Sequence, residues 1–122
     1  MAKSILVADD DPDIVNIVAM SLESKGYVVF KAANGREAVE QARQNAPDLI
    51  FMDMMMPVLS GYEAVGELKA DETTHGIPIV GLSAKAMADD MERALNVGID
   101  GYITKPFRIS QILSTAESYL NK

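Results

Sequence analysis

The fold of this chain is decided by the stretch Asp48-Leu49-Ile50-Phe51-Met52-Asp53. Four consecutive apolar residues between two aspartates predict a short strand buried on both faces, as in the centre of a parallel sheet. Pro47 stands directly before the stretch and ends the helix that precedes it. The segment therefore predicts the central strand of a parallel α/β sheet.

Strand and helix patterns alternate five times around this segment. The predicted strands are Ser4–Ala8, Tyr27–Ala32, Asp48–Asp53, Ile77–Ser83 and Gly101–Thr104. Helix starts are indicated by Asp11-Pro12, Asn34 and Ser60-Gly61, and helix ends by Gly26 and Gly98. Apolar stripes at helical spacing comprise Ile14, Ile17, Val18 and Leu22 in the first helix, and Met87, Met91, Ala94 and Leu95 in the fourth. The pattern predicts a single α/β domain over residues 1–122.

Composition narrows the class of protein. The chain has 122 residues, of which 48% are hydrophobic, so it is long enough to bury the core of one globular domain. Its formal net charge of −7 argues against a nucleic-acid surface, which needs clustered Lys and Arg. It has no cysteine, no signal-peptide pattern and no apolar run near the roughly 20 residues of a membrane span. We expect a cytoplasmic protein without disulfides.

Polar residues follow four of the predicted strands at the point where each strand ends. They are Asp9-Asp10, Asp53, Ser83 and Lys105. The carboxyl ends of parallel strands lie along one edge of a sheet, where ligands bind. Three carboxylates, a hydroxyl and an ammonium group are therefore predicted to converge on a site for a divalent cation and a phosphoryl group.

The carboxylates explain why a cation is expected. Two carboxylates about 4 Å apart repel by roughly 4 kcal/mol at an effective dielectric of about 20, so a shared proton or a cation must neutralise them. Oxygen ligands of this kind favour Mg²⁺. Taken singly, the triplet at 9–11 is better explained as an acidic helix N-terminus, Ser83 as a strand-end hydroxyl and Lys105 as a solvated surface lysine. Together they make Asp53 a candidate nucleophile, since carboxylates can form aspartyl phosphates.

Five segments resemble the receiver domain of two-component response regulators, of the chemotaxis-type single-domain kind, and the resemblance covers essentially the whole chain. They are Ile5–Asp11, Asp48–Pro57, Ser60–Glu63, Leu82–Ala84 and Gly101–Phe107. The resemblance implies a doubly wound, flavodoxin-like (βα)5 fold with strand order 2-1-3-4-5. It also implies that Asp53 accepts a phosphoryl group from a histidine kinase or a histidine phosphotransfer protein, and that no other substrate is turned over.

The same resemblance assigns roles to individual residues. Asp10, Asp53 and the backbone carbonyl of Met55 would hold Mg²⁺, or Mn²⁺ in its place, and Asp9 would act through metal-bound water. Ser83 and Lys105 would contact the phosphoryl group, with a cis peptide between Lys105 and Pro106. Ser83 and Tyr102 would be the switch residues, although Tyr102 equally suits a half-buried strand position. The output face would comprise Ala86–Val97, Gly101–Thr104 and Ile109–Leu120.

Two residues near the site bear on how long the phosphorylated state lasts. Met55 follows Asp53 by two positions and Lys85 follows Ser83 by two, and both flank the expected route of the hydrolytic water. We hypothesise that they help to set the dephosphorylation rate. The cluster Met52, Met54, Met55 and Met56 is interpreted as strand-end packing rather than a Cu(I) site, and His75 as a surface residue.

Two alternatives remain open at this stage. The chain could be the receiver part of a longer regulator. It could also be a small phosphatase of the haloacid-dehalogenase type, although the paired acids come first here and Met55 stands where that class has a second Asp. For a receiver, we expect no membrane insertion, an unidentified downstream protein partner, and a monomer or a weak phosphorylation-dependent dimer.

Overall fold

The structure, a computed structural model, describes residues 2–56, 58–84 and 88–121, and for residues 88–91 it describes the backbone only. Ten elements alternate along the chain: β1 Ser4–Ala8, α1 Pro12–Glu23, β2 Val28–Ala32, α2 Gly35–Asn45, β3 Leu49–Asp53, α3 Gly61–Ala70, β4 Ile79–Ser83, α4 Ala88–Val97, β5 Gly101–Thr104 and α5 Ile109–Leu120. All strand pairs are parallel, in the order β2-β1-β3-β4-β5. The predicted fold class and strand order are confirmed.

Local capping explains where the helices begin. The Asp11 carboxylate accepts a hydrogen bond from the Asp13 N–H at 3.0 Å, and Pro12 occupies the first position of α1. At α3, the Ser60 hydroxyl accepts from the Glu63 N–H while the Glu63 carboxylate accepts from the Ser60 N–H. These predicted helix starts are confirmed, and each fixes the direction in which the chain leaves a strand end.

Three strands are shorter than predicted. β3 begins at Leu49 rather than Asp48, and in β2 and β4 turns occupy the first predicted residues. The Tyr27 N–H donates to the Leu22 carbonyl at 3.3 Å, which closes the end of α1 before β2 begins. The Ile77 N–H donates to the Thr74 carbonyl at 3.0 Å, so Ile77 belongs to the turn before β4. Apolar character at both positions reflects partial burial rather than pairing in the sheet.

The sheet separates two hydrophobic layers. Ile50 and Met52 of β3 point into a core shared with α2, α3 and α4, whereas Leu49 and Phe51 point into one shared with α1 and α5. Every residue of β3 is buried, which confirms the prediction of a central strand covered on both faces.

Two residues of the predicted apolar stripes lie outside the core. Ile17 of α1 is 54% exposed and Leu95 of α4 is 58% exposed. In α1 the buried positions are Val15, Val18, Ala19 and Leu22. Each residue advances about 100° around a helix, so Ile17 lies roughly 150° from the centre of this face, on the side of α1 turned away from the core. Of the other predicted positions in α4, Ala94 is buried, whereas Met87 and the side chain of Met91 are outside the described residues.

Candidate functional site

Three adjacent strand pairs bring the predicted site residues to one edge of the sheet. Asp53 and Ser83 are the last residues of β3 and β4, Asp9 and Asp10 follow β1, and Lys105 follows β5. The register pairs Ala8 with Met52, Asp53 with Leu82 and Ser83 with Thr104. The strand order reverses direction between β1 and β3, which is where ligands bind in open α/β sheets.

The three carboxylates form a compact cluster. Asp9, Asp10 and Asp53 each offer one oxygen, and these oxygens all lie within 4.8 Å of one another. Asp9 and Asp53 are 1% and 3% exposed, whereas Asp10 is exposed, so the cluster opens to solvent on the side of Asp10. Carboxylate oxygens are hard ligands, and an open side leaves room for water and further oxygen ligands. The donor set therefore fits Mg²⁺.

Among the described side chains, the ammonium group of Lys105 is the one positive charge seen in contact with the carboxylate cluster. Its Nζ lies 2.7 Å from Oδ2 of Asp9 and 3.3 Å from Oδ2 of Asp53. Burial by itself lowers the pKa of Lys105, but hydrogen bonding and charge from Asp9 and Asp53 outweigh it, so the pKa is raised. Lys105 is therefore a permanent positive charge. One such charge does not balance three carboxylates.

The pKa of Asp53 reflects its burial and the excess of negative charge at the site. Burial raises its pKa from 3.8 to about 6, and repulsion from Asp9 adds to the effect. The Met55 N–H donates to Oδ1 of Asp53 at 2.9 Å and, with Lys105, opposes the rise. The hydrogen bond also fixes the orientation of the carboxylate. A second cation at the cluster would favour the ionised form of Asp53.

A cleft of about 230 Å³ gives access to Asp53. It is lined by Asp10, Asp53, Met55, Ser83, Ala84 and Lys105. The structure thus brings all of the predicted metal and phosphoryl residues together. Asp9 does not line the cleft, but it is buried in the carboxylate cluster and pairs with Lys105. The peptide between Lys105 and Pro106 is cis, as the resemblance implied.

The remaining predicted residues take different positions. Tyr102 is half-buried in β5 and packs against the core on the α2, α3 and α4 side. Lys85 lies outside the described residues, so its placement stays a prediction. His75 is exposed in the turn before β4, at the opposite edge of the sheet, as expected for a surface residue.

The methionine cluster divides into two kinds of side chain. Met52 and Met54 are fully buried and Met56 is 8% exposed, which confirms strand-end packing for these three. Met55 is 63% exposed and borders the cleft. The apolar character of Met55 therefore contributes to the site rather than to the core.

Sequence reasoning missed two features that shape the site. A side chain at Gly61 would collide with the Asp53 carbonyl, so α3 can start directly against the end of β3 only with glycine there. An apolar groove of about 430 Å³ lies beside the cleft, between α1 and the start of α5. It is lined by Ile14, Ile17, Ala84, Lys105, Pro106, Phe107 and Ile109. Ile17, predicted as part of the apolar stripe of the first helix, lines this groove instead of the core.

Comparisons with known proteins agree with this geometry. The family model of the response regulator receiver domain matches residues 5–117. The polar-differentiation response regulator DivK of Brucella anthropi is 36% identical over 120 residues, covering 98% of each chain.

Solved structures give the same result. The chemotaxis protein CheY4 of Vibrio cholerae superposes with a TM-score of 0.93 at 31% identity, over 98% of this chain and 100% of that one. The receiver domain of a sensor histidine kinase from Pseudomonas aeruginosa, which has a magnesium ion coordinated in its active site cleft, gives 0.91 at 33% identity over the whole of both chains.

The chain belongs to the response regulator receiver domain family of two-component signalling. The resemblance found in the sequence is thereby confirmed. No helix within residues 2–56, 58–84 and 88–121 is long and apolar enough to cross a membrane.

Proposed function

We propose that this receiver domain is a phosphoacceptor switch in which Asp53 takes a phosphoryl group from a histidine kinase or a histidine phosphotransfer protein. One observation carries the proposal. Asp53 is held at the base of an open cleft, within 3.3 Å of the Lys105 ammonium group and clustered with the carboxylates of Asp9 and Asp10. This arrangement combines a nucleophile, a positive charge and a set of cation ligands.

The proposed step depends on Mg²⁺, with Mn²⁺ as an alternative ion. Asp10, Asp53 and the backbone carbonyl of Met55 would hold the ion, and Asp9 would contact it through water. When bound, the ion supplies positive charge that offsets repulsion between the Asp53 carboxylate and the incoming phosphoryl oxygens. The oxygen-only donor set and the magnesium in the Pseudomonas aeruginosa receiver support this assignment.

The residues of the chain account for the transfer. A carboxylate oxygen of Asp53 forms a bond to phosphorus as the bond between phosphorus and the histidine nitrogen of the donor breaks, and the electron pair stays on that nitrogen. Met55 holds the carboxylate in place through its N–H. Lys105 and the Ser83 hydroxyl, which both line the cleft, would then contact the transferred phosphoryl oxygens.

The apolar groove between α1 and α5 favours a protein over a small molecule as the natural donor. It shares Ala84 and Lys105 with the cleft, so a partner seated in it would reach Asp53. Ile17, 54% exposed on the groove, is suited to such a contact. After phosphorylation, Ser83 and Tyr102 would transmit the change to the face made by α4, β5 and α5, where a downstream protein would bind.

We expect the chain to promote its own phosphorylation and dephosphorylation and no other reaction. The alternative of a haloacid-dehalogenase-type phosphatase is disfavoured by the family match over residues 5–117. Sustained turnover of small phosphomonoesters would support it, whereas a single labelling event per chain supports the switch. A receiver within a longer regulator would use the same chemistry, so this alternative differs only in the output.

Intact-mass measurement after incubation with acetyl phosphate and Mg²⁺ tests the proposal. Wild type is expected to gain the mass of one phosphoryl group, and the gain should disappear in Asp53→Asn and with excess chelator. Asp13→Asn, which removes an exposed carboxylate in the first turn of α1, is the matched control and should behave as wild type. Equal labelling of Asp53→Asn would overturn the assignment.

A further inference from the structure

Methionine side chains in this structure differ sharply in access to solvent. Among those described, Met52, Met54 and Met56 are 8% exposed or less, whereas Met20 and Met55 are 69% and 63% exposed. A dissolved oxidant reaches a thioether in proportion to its exposure. The sulfurs of Met20 and Met55 are therefore the accessible ones among the described methionines.

The two accessible methionines lie in different surroundings. Met20 is on the outer face of α1 and lines neither the cleft nor the groove. Met55 lines the cleft together with Asp53, Ser83 and Lys105, and its N–H is bonded to Asp53. A chemical change at Met55 therefore alters the surroundings of the phosphoacceptor, whereas the same change at Met20 does not.

We propose that Met55 is an oxidation site through which peroxide shortens the lifetime of the phosphorylated state. The inference rests on the proposed function of Asp53. The thioether sulfur takes one oxygen atom from hydrogen peroxide, the O–O bond breaks, and water leaves. Sulfur is oxidised by two electrons as the peroxide is reduced. Methionine sulfoxide reductases reverse the change, so the site could be switched repeatedly.

The physical effect follows from polarity. The thioether is an apolar, weak hydrogen-bond acceptor at the mouth of the cleft, whereas the sulfoxide oxygen is a strong acceptor. A sulfoxide at this position can hold a water molecule beside the phosphorylated Asp53, where the thioether excludes it. Hydrolysis of the acyl phosphate should therefore accelerate by about 2- to 10-fold, the rate equivalent of one ordinary hydrogen bond.

The first experiment locates the oxidation. Peptide mass mapping after mild hydrogen peroxide treatment should find sulfoxide at Met20 and Met55 and thioether at Met52 and Met54. Treatment in denaturant, which exposes every sulfur, should remove the difference. If Met55 stays reduced in the folded protein while Met20 is oxidised, the proposal is overturned.

The second experiment measures its effect. Wild type, Met55→Leu and Met20→Leu are phosphorylated with acetyl phosphate, and the decay of the phosphorylated mass is followed before and after peroxide treatment. The ratio of the two rates should be about 2 to 10 for wild type and Met20→Leu, and close to 1 for Met55→Leu. Reductase treatment should restore the slower rate. Met55→Gln, which places a polar acceptor there without oxidation, should decay faster than Met55→Leu.

The outcomes separate the inference from the function on which it rests. If untreated wild type takes no phosphoryl group, both the proposed function and the inference fail. If wild type is phosphorylated but the rate ratio is the same in Met55→Leu as in wild type, only the oxidation proposal fails.

Discussion

Asp53 lies between one ammonium group and two further carboxylates, and its chemistry follows from that balance. Lys105 contacts both Asp9 and Asp53, so its charge is divided between two buried acids. A buried carboxylate whose charge is only partly offset by a cation has a higher pKa than a solvent-exposed carboxylate. Asp53, the proposed phosphoacceptor, therefore also destabilises the folded state when no cation is bound.

The cost of ionising buried Asp53 should appear in the pH dependence of the free energy of unfolding. The pKa of Asp53 is raised by burial from 3.8 to about 6 in the folded state, so between these values the folded state holds more protons than the unfolded chain. The contribution of Asp53 to the free energy of unfolding therefore falls as pH rises from about 4 to about 6, and stays low above. Two pKa units correspond to about 3 kcal/mol, and Asp53 is only 3% exposed.

We accordingly expect Asp53→Asn to be more stable than wild type at pH 7, by about 2 to 3 kcal/mol, and nearly equal to it at pH 4. Urea denaturation at both pH values, without divalent ions, measures the difference. If the difference in the free energy of unfolding between variant and wild type is the same at both pH values, ionisation of Asp53 does not destabilise the folded state.

At the scale of the element, the end of β3 and the start of α3 meet at Gly61. The Gly61 N–H donates to the Met54 carbonyl at 3.2 Å, and its missing side chain allows the close approach to Asp53. This hydrogen bond joins the residue after β3 to the start of α3, and Met55, the next residue, lies beside the cleft. The start of α3 thus packs directly against Asp53 and helps to fix its position.

Gly61→Ala should lower the free energy of unfolding by about 2 kcal/mol or more, because the methyl group collides with rigid backbone. Gly66→Ala is the matched control in the same helix. A Cβ at position 66 would meet no atom within 4 Å beyond the backbone of its own helix. Alanine there should therefore raise stability by about 0.5 to 1 kcal/mol through its better helix propensity. Thermal or urea unfolding distinguishes the two. Similar effects from both substitutions would contradict the packing argument.

At the scale of the whole molecule, the site exists because four strand ends meet at one edge. Residues 9, 53, 83 and 105 are separated by tens of positions in the chain, and the order β1-β3-β4-β5 brings them together. The net charge of −7 adds a general attraction for cations. Specific binding of Mg²⁺ must therefore be separated from this background.

Mg²⁺ at about 100 times its dissociation constant should raise the free energy of unfolding of wild type by about 2.7 kcal/mol. Asp10→Asn and Asp53→Asn should lose most of this increase, whereas Asp13→Asn should retain it, because Asp13 lies outside the carboxylate cluster. Unfolding in NaCl of equal ionic strength corrects for screening. An equal increase in all four proteins would indicate diffuse attraction rather than a site.

Particular residues mark how far the sequence could be interpreted. The apolar run 49–52 identified the central strand, and the caps at Asp11 and Ser60 identified helix starts, because both signals are local. The exposure of Ile17 and Leu95 was missed, since apolar spacing does not tell which positions face a neighbouring element. The division of the methionines into three buried and one exposed at the cleft was missed for the same reason.

The sequence by itself determined the alternation of strands and helices, the polar residues at four of the strand ends and the family to which the chain belongs. These depend on residue type and spacing along the chain. The tertiary structure decided that Lys105 pairs with both Asp9 and Asp53, that burial raises the pKa of Asp53, and that Met55 and the apolar groove border the cleft. Charge balance and solvent access arise between residues distant in sequence, so they exist only once the sheet has assembled.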